Sequence, residues 1–167
     1  MPDDVRAVVT AALQRFNDRD DRLGFLDAYA PDVRLHGYPG GLAGREGLER
    51  FHAPLWDALP DAALVPEDIV VEGDRAAVRY RLTATHEGPY MGVAPKRAHV
   101  DVQGIMVVRV AGGLVVEEWH SPTELSILRQ LGAIEVHLAG ARSRRAGPRR
   151  SAAAEAAALR WQEAHDG

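Results

Sequence analysis

The 167-residue chain predicts an α+β domain in which helices come first and consecutive antiparallel strands follow. Three observations carry this. Apolar residues recur at helical spacing up to Pro60, β-rich runs broken by short glycine turns follow, and a helix start and stop close the run at Gly132.

Each element has a local reason. Val5, Val8, Val9, Ala12, Leu13 and Phe16 share one helical face behind Asp3 or Asp4 as N-cap, which predicts a helix over about 4–17. A second, short helix carries Leu23, Phe25, Leu26 and Tyr29 and must stop before Pro31. Val33–Gly37 reads as a short extended piece. Leu48, Phe51, Leu55, Trp56 and Leu59 mark a third helix, with Pro54 expected to kink it. Val65–Glu72, Arg75–His86, His99–Val110 and Leu114–His120 are the strands, and Gly112-Gly113 suits the positive φ of a primed hairpin turn. Ser121-Pro122-Thr123-Glu124 reads as a capping box that opens a helix over about 122–131, with Gly132 as its left-handed stop. In such a box the Glu124 carboxylate turns back to the Ser121 amide, which gives it a structural task rather than a chemical one.

The second long strand shows how the sheet is used. Val78, Tyr80, Leu82, Ala84 and His86 point to one face, and Arg79, Arg81, Thr83 and Thr85 to the other. The first face meets the helices and leaves room for an apolar cavity. The second is polar and β-rich, which suits a partner sheet and predicts a homodimer.

Composition narrows the function classes. With 46% hydrophobic residues the chain can build a core, and with no cysteine it forms no disulfide and uses no thiolate. No apolar run reaches the ~20 residues needed to cross a bilayer. Met1-Pro2-Asp3-Asp4 lacks the regions of a signal peptide, so a cytoplasmic protein without membrane contact is expected. Charge divides unevenly, with −6 over residues 1–132 and +2 over 133–167, together the −4 of the whole chain. Arg142, Arg144, Arg145, Arg149 and Arg150 flank Gly147-Pro148 without interleaved aromatics. That pattern reads as a solvated linker rather than a nucleic-acid surface. The organisation expected is a domain over 1–132, then an arginine-rich linker and an alanine-rich helix over about 151–165.

Four segments carry a family resemblance. Ala84-Thr85-His86-Glu87-Gly88-Pro89-Tyr90-Met91-Gly92-Val93-Ala94-Pro95 is similar to a Gly-Thr-His-x-Gly…Gly-x-x-Pro motif of the SnoaL-like polyketide cyclases. Ala30–Gly37, Glu72–Arg79 and Gln130-Leu131-Gly132 agree with it in order and spacing. The resemblance implies a cone-shaped α+β barrel shared with nuclear transport factor two, a curved sheet around three N-terminal helices, and small dimers. It also implies cofactor-free aldol chemistry on polyketides by a strand histidine and a later aspartate. In this chain those two positions fall on Met106 and Thr123, and neither side chain exchanges a proton near neutral pH.

Histidines then become the candidates for acid–base work, since an imidazole titrates near ~6.5. His86 lies on the inward face of its strand beside the glycine-rich loop and is the proposed proton carrier, with His36 or Tyr90 steadying an oxyanion. Tyr38, Trp56, Met91, Met106, Trp119, His120 and Thr123 are the expected substrate-binding lining. His52, His99, His137 and His165 read as structural or solvated. No histidine pair has the close helical spacing of a zinc site, so neither metal nor cofactor is expected. The reading is an enzyme that cyclises, isomerises or dehydrates a polyketide-like molecule; a non-catalytic binding or dimerisation module is the alternative.

Overall fold

The computed structural model describes residues 4–135, so the predicted linker, the helix over 151–165, His137 and His165 lie outside the described residues. Helices α1 (Val5–Asn17) and α2 (Arg22–Leu26) lead into strand β1 (Tyr29–His36), followed by α3 (Gly44–Ala58). Strands β2 (Ala63–Glu72), β3 (Arg75–Thr85), β4 (His99–Ala111) and β5 (Leu114–His120) follow, and α4 (Glu124–Gln130) closes the domain. The sheet order is β1-β5-β4-β3-β2, antiparallel except for the β1–β5 pair. The α+β fold class is the one expected.

Local chemistry explains most element ends. The Asp4 side chain caps α1 by accepting from the Ala7 amide at 3.0 Å. Gly112 and Gly113 take φ of 60° and 76°, the primed turn that joins β4 to β5. Three details differ from the sequence reading. Tyr29 opens β1 instead of ending α2, because its buried ring belongs to the sheet side of the core. Pro54 sits inside α3, which continues through it as one helix. The capping box does not form: Thr123 occupies the N-cap without a side-chain capping bond, and the Ser121 amide donates to the Ile105 carbonyl at 3.1 Å. Glu124 therefore does not serve the Ser121 amide; the backbone amides that act on its carboxylate are its own and that of Thr123.

One face of the sheet packs against the helices. Val78, Tyr80, Leu82 and Ala84 of β3 lie on it with Val100, Val102, Met106 and Val108 of β4, and Phe16, Phe25, Leu48 and Trp56 of the helices close the core. The outer face carries the expected Arg79 and Arg81, paired with Glu67 and Asp101. Burial of this apolar surface at roughly 25 cal/mol per Å² is the main stabilising contribution.

Two bulges set which residues face inward. On β2 the pairing steps from Pro66↔Tyr80 to Asp68↔Arg79, leaving Glu67 extra. On β5 it steps from Val110↔Val115 to Arg109↔Glu117, leaving Val116 extra. In regular pairing Glu117 and Trp119 would have shared the inward face with Val115. With the bulge, Glu118 pairs with Val108 and His120 with Met106, and these two face the helices. Glu117 remains outside, bonded by Arg34 at 2.6 Å, His36 at 2.9 Å and Arg109 at 3.1 Å.

Candidate functional site

Between the helices and the inward sheet face lies a cavity with two adjoining lobes. Leu13, Phe25, Tyr29, Tyr38, Met106 and Glu118 line one lobe. Phe51, Leu55, Leu82 and Thr123 line the other, and Phe16, His52, Leu64, Tyr80 and His120 belong to both. Each lobe has a volume of about 30 Å³, room for a water molecule or little more. Tyr38, Phe51, Leu64 and His120 are the partly exposed members of the lining.

The fold builds this wall residue by residue. Gly104 of β4 stands opposite Tyr80 of β3, and a Cβ there would lie 2.4 Å from the tyrosine ring. The missing side chain is therefore what lets Tyr80 cross the strand pair and reach the cavity. The Tyr80 hydroxyl hydrogen-bonds Thr123, and burial raises its pKa to about 12. His52 on α3 donates from Nδ1 to the Leu48 carbonyl at 2.9 Å and stacks on Trp56. Burial lowers its pKa to about 4, so it stays neutral through the physiological range.

Two carboxyl groups meet this lining in contrasting states. Glu118, only 2% exposed, accepts from the Tyr38 hydroxyl on Oε1 at 2.6 Å, with the Tyr29 hydroxyl acting on the same carboxyl. Burial pushes its pKa above the ordinary value in spite of both tyrosines and the neighbouring His120. Glu124 lies 3.7 Å from Nε2 of His120. Burial opposes its charge too, yet the His120 ring and the amides of Glu124 and Thr123 hold its pKa below the ordinary value. Glu118 lines the first lobe and Glu124 stands behind His120, outside the lining of either lobe, and carboxyl groups pushed in opposite directions around one imidazole are an arrangement suited to acid–base chemistry. Around them Tyr38 stacks on His120 with centroids 4.8 Å apart, and Phe51 meets both rings edge-on.

Residues 7–131 match the sequence profile of the SnoaL-like polyketide cyclases. The chain belongs to that family. Among solved structures, this SnoaL-like chain is similar to AclR, a candidate hydroxylase from Streptomyces galilaeus, at 27% identity and a TM-score of 0.71, covering 78% of this chain and 97% of that one. It is similar to IdmH, a candidate polyketide cyclase from Streptomyces antibioticus, at 27% identity and 0.67, covering 77% and 99%. TsrD from Streptomyces laurentii gives 29% identity and 0.65, covering 77% and 98%. No curated protein matches.

The structure brings together only part of the site that sequence motifs suggest for this SnoaL-like chain. Tyr38, Met106, His120 and Thr123 line the cavity, and Trp56 lies behind His52. Met91 is corrected from lining to surface, with 64% exposure and a φ of 47° in its loop. Trp119 and His36 are also corrected: they stack on each other at 5.0 Å on the outer side, where the bulge puts Trp119 and His36 bonds Glu117. Tyr90 is buried, and burial raises its hydroxyl's pKa, but it is not part of either lobe's lining.

His86 follows the last residue of β3 rather than belonging to the strand; it is fully buried and lines neither lobe. Its amide donates to the Ala98 carbonyl at 2.9 Å, its carbonyl accepts from Arg97 at 2.8 Å, and its Nδ1 accepts from the Lys96 amide at 3.3 Å. Thr85 bonds Asp61 through both amide and hydroxyl, and the Gly88 amide donates to Ala58. The Thr-His-x-Gly segment thus ties the end of β3 and its loop to the end of α3. Gln130 of the closing motif likewise bonds both backbone groups of Asp101.

Sequence reasoning missed Glu118, Tyr29, Tyr80 and His52 and set Glu124 aside. A usable signal did exist: Glu118 and His120 are two apart on one strand, so whichever face takes one takes the other.

Proposed function

We propose that this protein is a cofactor-free enzyme that cyclises, isomerises or dehydrates a polyketide-like small molecule in its interior cavity, working in the cytoplasm as a homodimer. The observation that carries the reading is His120, an imidazole shared by both lobes with the Glu124 carboxylate at its Nε2. Glu124 faces the ring nitrogen and orients the imidazole, so His120 can take a proton from carbon beside a carbonyl and return it elsewhere. The 3.7 Å separation is long for a hydrogen bond and is of the kind that tightens when a substrate is bound. Thr123 and Tyr80 supply hydroxyls that orient the substrate in the second lobe. Family membership and the likeness to IdmH support the substrate class.

The test is exchange of the acidic α-protons of 2-tetralone in D₂O, followed by proton NMR with the full chain. The wild type should accelerate exchange, and His120→Gln should lose about 10²–10⁴ of that acceleration. Equal rates in the two proteins would sink the reading. One observation favours a non-catalytic dimerisation module instead: lobes of about 30 Å³ are nearly filled by side chains. That alternative predicts that no exchange of 2-tetralone is accelerated. The dimer would use the outer sheet face, where Val70, Ala77, Val107 and Trp119 form one cross-strand row. A clean 18.2 kDa species in sedimentation at micromolar concentration would refute it.

A further inference from the structure

We propose that Glu118 is the group that receives the substrate's carbonyl oxygen, donating a hydrogen bond from Oε2–H, and that the cavity therefore selects uncharged ketones able to enolise. This rests on the His120 reading and names its partner in the reaction.

The geometry is specific. Tyr38 occupies Oε1 and the Tyr29 hydroxyl lies beside the same carboxyl group, whereas Oε2 is buried, meets no donor or acceptor at hydrogen-bond geometry among the described residues, and belongs to a side chain of the first lobe's lining. No lysine or arginine lines either lobe. The groups that surround Glu118 are Tyr29 of β1, Tyr38, His52 of α3, Tyr80 of β3 and His120 of β5, with Glu124 of α4 behind His120. His52 is neutral above about 4, and the one remaining cation, a protonated His120, is held by Glu124. A carboxylate at 118 would thus be a buried charge with no dedicated counter-ion, so the carboxylic acid is the favoured form. Its Oε1 then accepts from Tyr38 as a carbonyl oxygen, and the proton is left on Oε2.

The step balances without a co-reactant. His120 takes the α-proton, the C–H pair forms the new C=C bond, and the carbonyl π pair moves to oxygen. The oxygen, now carrying negative charge, draws the Glu118 Oε2–H hydrogen bond tighter. Return of the proton from His120 to the α-carbon, or to the γ-carbon where a β,γ C=C makes the intermediate a dienolate, re-forms the C=O and restores the starting charges. An anionic substrate is disfavoured, since the lining offers no arginine or lysine to receive it.

Two measurements on the full chain test Glu118 apart from His120. Infrared difference spectra between wild type and Glu118→Gln at neutral pH should show the carbonyl stretch of a protonated carboxyl group, shifted in D₂O. Binding of 2-naphthol, a planar enolate mimic followed by its own fluorescence, should weaken about tenfold in Glu118→Gln, which keeps the acceptor for Tyr38 and replaces the acidic O–H by a much weaker amide N–H donor. A carboxylate spectrum with no protonated band, or equal naphthol affinity in the two proteins, overturns the assignment. His120→Gln should retain the infrared band. Failure of the His120 reading would be seen instead as undiminished tetralone exchange in that variant.

Discussion

Replacing His52 should flatten the acid side of the stability curve. The imidazole is walled in by Phe16, Phe25, Phe51 and Trp56, and its Nδ1–H is committed to the Leu48 carbonyl. Burial lowers its pKa from 6.5 to about 4 in the folded chain. The unfolded chain therefore binds a proton at this position between those two values while the folded chain does not. Stability from His52 is complete above about 6.5 and is lost as pH falls toward 4. A shift of about 2.5 units at about 1.4 kcal/mol per unit amounts to roughly 3 kcal/mol, an order of magnitude that a small domain with 5–15 kcal/mol in total would register. The assay is urea unfolding of wild type and His52→Gln at intervals from pH 4 to 7. The wild type should lose roughly 3 kcal/mol more than the variant over that range. Parallel curves would show that the ring is protonated without penalty and that the aromatic enclosure is looser than described.

Three further outcomes are expected. Phe51→Ala should open the cavity beside Tyr38 and raise 2-tetralone affinity several-fold, at a stability cost of about 1–3 kcal/mol because Phe51 is only half-buried; unchanged affinity would place the way in elsewhere. Gly104→Ala should drive the Tyr80 ring into the cavity, destabilise by about 1–3 kcal/mol and abolish probe binding. Tight binding in that variant would mean that Tyr80 has other space to occupy. His86→Gln should lower the melting temperature by several degrees and leave tetralone exchange within about twofold, since the ring anchors the 87–98 loop and lies outside both lobes. A stable variant with exchange cut a hundredfold would return His86 to the chemistry.

The fold was legible because its signals are local and agree. The helical stripe from Val5 to Phe16, the alternation through Val78–Ala84 and the Gly112-Gly113 turn each specify one element, and nothing in the tertiary structure opposes them. The family followed from the same segments. The site was less legible because the motifs singled out hold backbone together. Thr85, His86 and Gly88 fasten a loop, and Gln130 fastens α4 to β4. The groups that converge on the cavity depend on relations no motif records: a Cβ missing across a strand pair at Gly104, a helix that starts after Thr123 rather than Ser121, and a bulge at Val116. His36 and Trp119 went to the wrong side for that last reason.

The bulge also determines what changes in chain length mean here. If Val116 were deleted, Glu117 would follow Val115 into regular pairing opposite Arg109, and Glu118 and His120 would still point inward. If Val116 were kept and the bulge pulled straight, every later residue would turn over, and the interior would receive Glu117 and Trp119 in place of Glu118 and His120. The tandem glutamates ensure a carboxyl group inside in either case, but only one arrangement supplies an imidazole. What stands against the other is the grip of Arg34, His36 and Arg109 on Glu117. That exterior clamp, remote from any substrate, decides which of two possible interiors the strand presents, and spacing counted along β5 is a poor ruler for comparing sites among relatives.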